Sequence, residues 1–443
     1  MFKRKVYDEL KKWKIERQRK CAILLEGARR VGKSTIAEEF AKNEYKSYIL
    51  IDFAKVESRI LSIFEDIGNL DSFFLRLQTE TGIKLYQRDS VIIFDEVQLF
   101  PKARQAIKYL VKDGRYDYIE TGSLISIKKN VQDILIPSEE HKIEVFPMDF
   151  EEFCDAIGYD YSLLKDLYNL KKPIGESTNR TLMRNFRLYI AVGGMPQVVD
   201  AYLQKQTFDE IDSLKQDIIN LYKDDLRKID KFGRLSKLYD SIPAQLVAKR
   251  NRFSFAYSLK KKNRNDDERL FDLLDSKIVN CCYRLNEISP SLNLHVDLTN
   301  FKLYVGDTGL FVSMLFNSET KEHADIYKKL ISNTLDTNLG YLYENAVAQI
   351  IVANHRKLYY YTFPKENSSH NYEIDFLLNF KGKITPLEIK SSKINRHESI
   401  DAFALKFSKF VGQKYLISMK DYIKKGDLIN LPFYLFPFLL ENN

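Results

Sequence analysis

Short apolar runs alternate with helical patterns over the first third of the chain. "CAILLEG", "YKSYILIDF", "SVIIFDE", "YDYIETGS" and "HKIEVFPM" read as strands, and "KSTIAEEFAKN" reads as the helix after the first. A helical pattern also runs from the second strand to about residue 85. Strands this apolar, separated by helices, predict a parallel sheet covered on both faces. "NLKKPIGESTNR" (169–180) has the Pro/Gly and polar character of a linker. Residues 181–240 predict helices broken at "VGGMP", and 241 to about 315 predict small helices, a basic loop and strands. "LISNTLDTNLGYLYENAVAQIIVANH" predicts an amphipathic helical region. "KLYYYTF", "YEIDFLLNF" and "ITPLEIK" predict strands, with a last helix and strand beyond them. The most apolar run, "LINLPFYLFPFLL" (428–440), is too short to span a bilayer and carries two prolines, so a buried edge segment is expected.

A length of 443 residues predicts about three domains. Apolar and charged fractions of 44% and 29% are those of a soluble globular protein. The net charge of +8 permits contact with nucleic acid without demanding it. Four cysteines, with Cys281 and Cys282 adjacent and no Cys-x-x-Cys pair, read as reduced thiols in a cytoplasmic protein. The charged stretch 1–20 is not a secretory signal, and no membrane association is expected.

"GARRVGKST" fits G-x-x-x-x-G-K-[ST]. Gly27 and Gly32 let the backbone of Ala28, Arg29, Arg30 and Val31 wrap so that its N–H groups meet phosphate oxygens. The helix beginning near Lys33 adds its positive end. Lys33 is expected on the β- and γ-phosphates of ATP and the Ser34 hydroxyl on Mg²⁺, with Thr35 a structural neighbour. Asp95, closing an apolar strand in "VIIFDEVQ", is expected to hold the Mg²⁺ shell, and Glu96 to orient and deprotonate the attacking water. Thr121 or Ser123, in "ETGS", is the candidate polar sensor between that strand end and the γ-phosphate.

In "EIDFLLNFKGKITPLEIKSS" the turn "NFKGK" predicts a hairpin that brings Asp375 beside Glu388. Glu388 and Lys390 share a strand face, and Glu344 lies on a helix that could pack over the same end of the sheet. Glu344, Asp375 and Glu388 are therefore candidate Mg²⁺ ligands, with Glu388 and Lys390 as catalytic candidates for phosphodiester cleavage. The rival reading is a cross-strand ion pair on an exposed face.

The motifs "EGARRVGKST", "IIFDEVQ", "TGS", "VFPMDFEEF", "GGMPQVV", "KLYVGDTGL" and "GYLYENAVA" resemble, in order, prokaryotic AAA+ ATPases that carry a C-terminal nuclease-like domain. The resemblance implies an α/β P-loop AAA+ domain over 1–170, a helical lid over 171–240, a winged-helix segment over 241–325 and a PD-(D/E)XK-type domain over 326–443. It implies a coupling of ATP hydrolysis to a DNA-processing module, DNA being favoured over RNA, with oligomerisation open. The alternative is an ATP-driven switch whose last domain only binds a nucleic-acid or protein partner. The basic run Lys249, Arg250, Arg252, Lys260, Lys261, Lys262 and Arg264 is the candidate nucleic-acid contact, while Phe253, Phe255 and Tyr257 alternate as a half-buried strand. One departure from the family pattern is the absence of a Gly-Arg pair before "VFPM". Among Arg180, Arg184 and Arg187, Arg187 is the expected γ-phosphate arginine.

Overall fold

Five strands of the N-terminal part are β1 (Ala22–Glu26), β2 (Ser47–Asp52), β3 (Ser90–Asp95), β4 (Asp117–Gly122) and β5 (Glu140–Glu144). They form one sheet in the order β2-β3-β4-β1-β5 with every pair parallel. The computed structural model describes residues 2–18, 20–122, 137–250, 252–259, 264–316, 323–335, 339–366, 368–391 and 397–441. The chain divides into two units, Met1–Phe146 with Asp275–Lys277, and Pro147–Leu274 with Ile278–Asn443.

The sheet of the first unit is parallel, and its central strands β3, β4 and β1 are buried on both faces. β3 and β4 have no exposed residue, and Ile92, Phe94 and Tyr118 pack with Phe64, Phe73 and Phe74 from the helical stretch after β2. The order sets β4 between β1 and β3, so the carboxyl ends of three strands meet where the phosphate loop begins. Ligands of open α/β sheets bind at such crevices.

The second unit begins with helices Phe150–Ala156, Tyr161–Leu170, Glu176–Val192, Pro196–Leu203, Phe208–Ile229 and Arg234–Asp240. The expected linker shrinks to a turn, because Glu176 already opens a helix. A mixed sheet follows in the order β7-β6-β8-β9, from β6 (Val279–Leu285), β7 (Val296–Val305), β8 (Leu358–Pro364) and β9 (Asn371–Ile374). The expected boundary at 325/326 runs through this sheet, since β6 pairs with β8. A second sheet runs β10-β11-β12-β14-β13, from β10 (Phe376–Phe380), β11 (Lys383–Lys390), β12 (Lys414–Ser418), β13 (Ile423–Lys425) and β14 (Leu428–Pro432).

Two local expectations change. Phe253, Phe255 and Tyr257 do not form a strand: Phe255–Leu259 is a short helix, Phe253 stacks on Phe301 at 6.0 Å, and Phe255 meets the same ring edge-on at 6.4 Å. Docking of the rings on one aromatic partner outweighs the alternating pattern. The last apolar run is buried but not an edge: β14 lies between β12 and β13. "GGMP" and "GDTG" are packing motifs. A Cβ on Gly194 would stand 2.0 Å from the Met148 carbonyl oxygen, and the Gly194 N–H donates to Asp307 Oδ2 at 2.6 Å. Among the described residues no helix is long and apolar enough to cross a membrane.

Candidate nucleotide site and C-terminal acidic cavity

The loop between β1 and the helix Lys33–Glu44 turns on two positions without side chains. Gly32 has φ 93°, a left-handed conformation that a Cβ disfavours. Gly27 passes so close to Val145 that a Cβ would lie 2.3 Å from its carbonyl oxygen. Lys33 is only 7% exposed and folds back over the loop, donating to the carbonyls of Gly27 (3.1 Å) and Ala28 (2.7 Å). Desolvation pulls its pKa down to about 8, against the opposing charges of Glu96 and Asp95.

The acids meet this loop directly. Ser34 Oγ donates to Asp95 Oδ1 at 2.6 Å, and Thr121 Oγ1 donates to the same oxygen. Thr121 Oγ1 also accepts the Glu96 N–H at 3.3 Å. Glu96 sits in the left-handed region at φ 53°, and Gln98 Nε2 donates to its Oε2. A single hydroxyl on β4 thus ties together Asp95, which ends β3, and Glu96, which follows it. Ser34 and Asp95 are hard oxygen donors at one spot and fit Mg²⁺. When bound, the metal offsets charge on the nucleotide phosphates. Arg29 is half-buried near Lys33, whereas Arg30 and Thr35 face outward. Ser123 lies outside the described residues.

Sequence reasoning missed Arg4. It is 7% exposed, and its guanidinium donates to the carbonyls of Val31 (3.0 Å) and Phe146 (2.7 Å), bracing the phosphate loop from behind. A basic residue at the head of a surface helix carries no local signal of this role. Gln98, two positions beyond Glu96, was legible only as part of the strand-end turn.

Arg187 belongs to the second unit. It is buried in the helix Glu176–Val192, and its Nε donates to the Ile331 carbonyl at 2.8 Å, so it is not a surface charge.

In the second unit the hairpin forms as expected. Lys381 and Gly382 both have positive φ, 51° and 77°, and Phe376 pairs with Leu387. Asp375 itself falls at the break between β9 and β10, and its Oδ2 accepts the Ile389 N–H at 2.7 Å. Glu388 is 5% exposed, pairs with Lys390 at 2.5 Å through Oε1, and leaves Oε2 buried without a hydrogen bond. Burial raises its pKa against the pull of Lys390. Glu344, Asp375, Glu388 and Lys390 all line one cavity of about 210 Å³.

The expected Mg²⁺ set does not fit that cavity. Among the described residues no three His, Cys, Asp or Glu side chains form a group able to hold a metal ion. Asp375 is turned to a backbone amide and Glu388 to a lysine. Lys302, from β7, also lines the cavity and donates to Glu373. A lysine in the otherwise apolar strand "FKLYV" was the available sequence signal.

Residues 19–154 match an AAA domain family. Residues 183–321 and 339–435 match two domains of unknown function, DUF8612 and DUF4143. No curated protein matches the chain. Among solved structures, a Walker-type ATPase of Pyrococcus abyssi aligns at 15% identity over 71% of this chain and 96% of that one, with a TM-score of 0.44. A signal-transduction ATPase with numerous domains and a tetratricopeptide-repeat sensor, from Pyrococcus horikoshii, aligns at 12% identity over 77% of this chain and 47% of that one, with a TM-score of 0.25. Cdc6p from Pyrobaculum aerophilum aligns at 13% identity over 74% and 93% of the respective chains, with a TM-score of 0.22. The assignment rests on the domain match together with the loop and sheet geometry: the N-terminal unit contains an AAA-type P-loop ATPase domain.

Proposed function

We propose that this chain binds ATP with Mg²⁺, hydrolyses it at the first unit, and uses the cycle to drive its C-terminal segments. The observation that carries the reading is the 2.6 Å bond between Ser34 Oγ and Asp95 Oδ1 beside a buried Lys33. These residue types, so grouped, are what P-loop sites use for a triphosphate and its metal. Lys33 binds the β- and γ-phosphates, Ser34 and Asp95 take the metal, and Glu96, oriented by Gln98 and Thr121, activates water. Lys33→Ala weakens nucleotide binding, while Glu96→Gln retains binding and slows turnover. Unchanged hydrolysis in both variants refutes the assignment.

For the C-terminal region the nuclease-like reading is supported by the gathering of Glu344, Asp375, Glu388 and Lys390 on one cavity. Nucleic-acid contact by the middle segment is supported by Lys249 and Arg250, which line that same cavity and offer phosphate contacts. A specific observation favours the second form of the proposal, in which this region binds DNA or another partner without cutting it: the buried Lys302 among the acids. Incubation with Mg²⁺ and plasmid, linear or single-stranded DNA, or RNA, with and without ATP, separates the forms. Cutting that is lost in Glu388→Ala supports the nuclease, and intact substrates support the switch.

A further inference from the structure

The cavity beside β11 carries two sets of opposite charge. Glu344, Glu373, Asp375 and Glu388 face it from the helix Gly340–Ala353, from β9 and from the hairpin. Lys249, Arg250, Lys302 and Lys390 face it as well, so four carboxylates meet four cations. Four clustered carboxylates without a counter-charge would repel one another and take up protons. Elsewhere such a cluster is held together by a divalent cation with oxygen ligands.

Here the counter-charge is part of the chain. Lys302 is 7% exposed, on the face of β7 that it shares with Tyr304. Its ammonium donates to Glu373 and lies 5.2 Å from the Tyr360 ring centre. Of the four cations Lys302 is the buried one, and it shares the cavity with all four acids. Lys390 attends to Glu388, and Arg250 is stacked on the Tyr257 ring at 4.5 Å.

We propose that the Lys302 ammonium is the resident cation of this cavity, holding the acids together without a divalent metal. Lys249 and Arg250 are exposed at the same cavity and are the groups that meet an anionic partner there, a contact that does not depend on metal. The inference does not rest on ATP hydrolysis. It deepens the binding form of the C-terminal reading.

The test titrates Mn²⁺ into nucleotide-free wild type, Glu388→Ala, Lys302→Met, and Lys302→Met/Glu388→Ala. Bound metal is read by electron paramagnetic resonance and stability by thermal melts. Mn²⁺ taken up at the phosphate loop is common to all four proteins and cancels in the comparison. Wild type and Glu388→Ala are expected to bind the same amount. Lys302→Met is expected to gain about one equivalent, to lose it again in the double variant, and to melt higher with Mn²⁺ than without. If Lys302→Met is unfolded in metal-free buffer, refolding on addition of Mn²⁺ is the supporting result. Glu388-dependent Mn²⁺ binding in wild type overturns the proposal, as does Lys302→Met that neither binds more metal nor is stabilised by it. ATP hydrolysis, assayed in parallel, reports separately on the first unit.

Discussion

Raising the pH from 7 to 9 tests the phosphate loop through Lys33. Its pKa of about 8 lies below the ordinary 10.5 because the side chain is buried over the loop. That gap corresponds to roughly 3 kcal/mol against the charged form in the nucleotide-free protein. Between pH 8 and 10.5 the folded chain therefore holds fewer protons at this site than the unfolded chain. Its contribution to stability rises with pH across that window, the reverse of a lysine that gains a partner. ATP changes the balance, because phosphates at the ammonium restore its charge. At pH 8 about half of the free sites lack the proton, so binding takes up about 0.5 proton per nucleotide, against about 0.1 at pH 7. Above pH 8 the affinity falls, by up to about tenfold per pH unit. Isothermal calorimetry in two buffers of different protonation enthalpy measures the uptake directly. Binding at pH 8 with no proton uptake, and no rise from pH 7, refutes the buried-ammonium argument.

Three further outcomes follow from particular contacts. Arg4→Ala removes two hydrogen bonds from a charged donor to the Val31 and Phe146 carbonyls, each worth about 1.5–3 kcal/mol. It is expected to lower both urea stability and affinity for a fluorescent ATP analogue, and unaltered affinity would show that the loop needs no brace. Gln98→Ala frees the Glu96 carboxylate, so turnover falls while nucleotide affinity holds, read as kcat against KM. Arg104→Met breaks a bidentate pair with Glu140, both bonds 2.7 Å and both side chains 2% exposed. Leaving that carboxylate buried and unpaired costs about 3–5 kcal/mol in chemical denaturation.

The nucleotide site was legible in the sequence because its parts are local. Gly27, Gly32, Lys33 and Ser34 fall within one turn of chain, and Asp95 and Glu96 end a strand whose apolar run announces itself. Backbone sterics and strand burial fix such features wherever they occur. The helical stretch 181–240 and the hairpin around "NFKGK" were legible for the same reason, since periodicity and two positive-φ positions are short-range properties.

What the sequence could not decide was which distant groups share a space. Arg4 reaches Val31 and Phe146 only because the fold closes over the loop, and Thr121 binds Asp95 only because β4 lies between β1 and β3. Phe253 and Phe255 follow Phe301 rather than their own alternation. The acids around Glu388 suggested a metal because their order along the chain is visible. The lysine among them comes from β7, about seventy positions earlier than Glu373. Charge balance in a buried cavity is a sum over every strand and helix that lines it, and only the tertiary structure supplies the members of that sum.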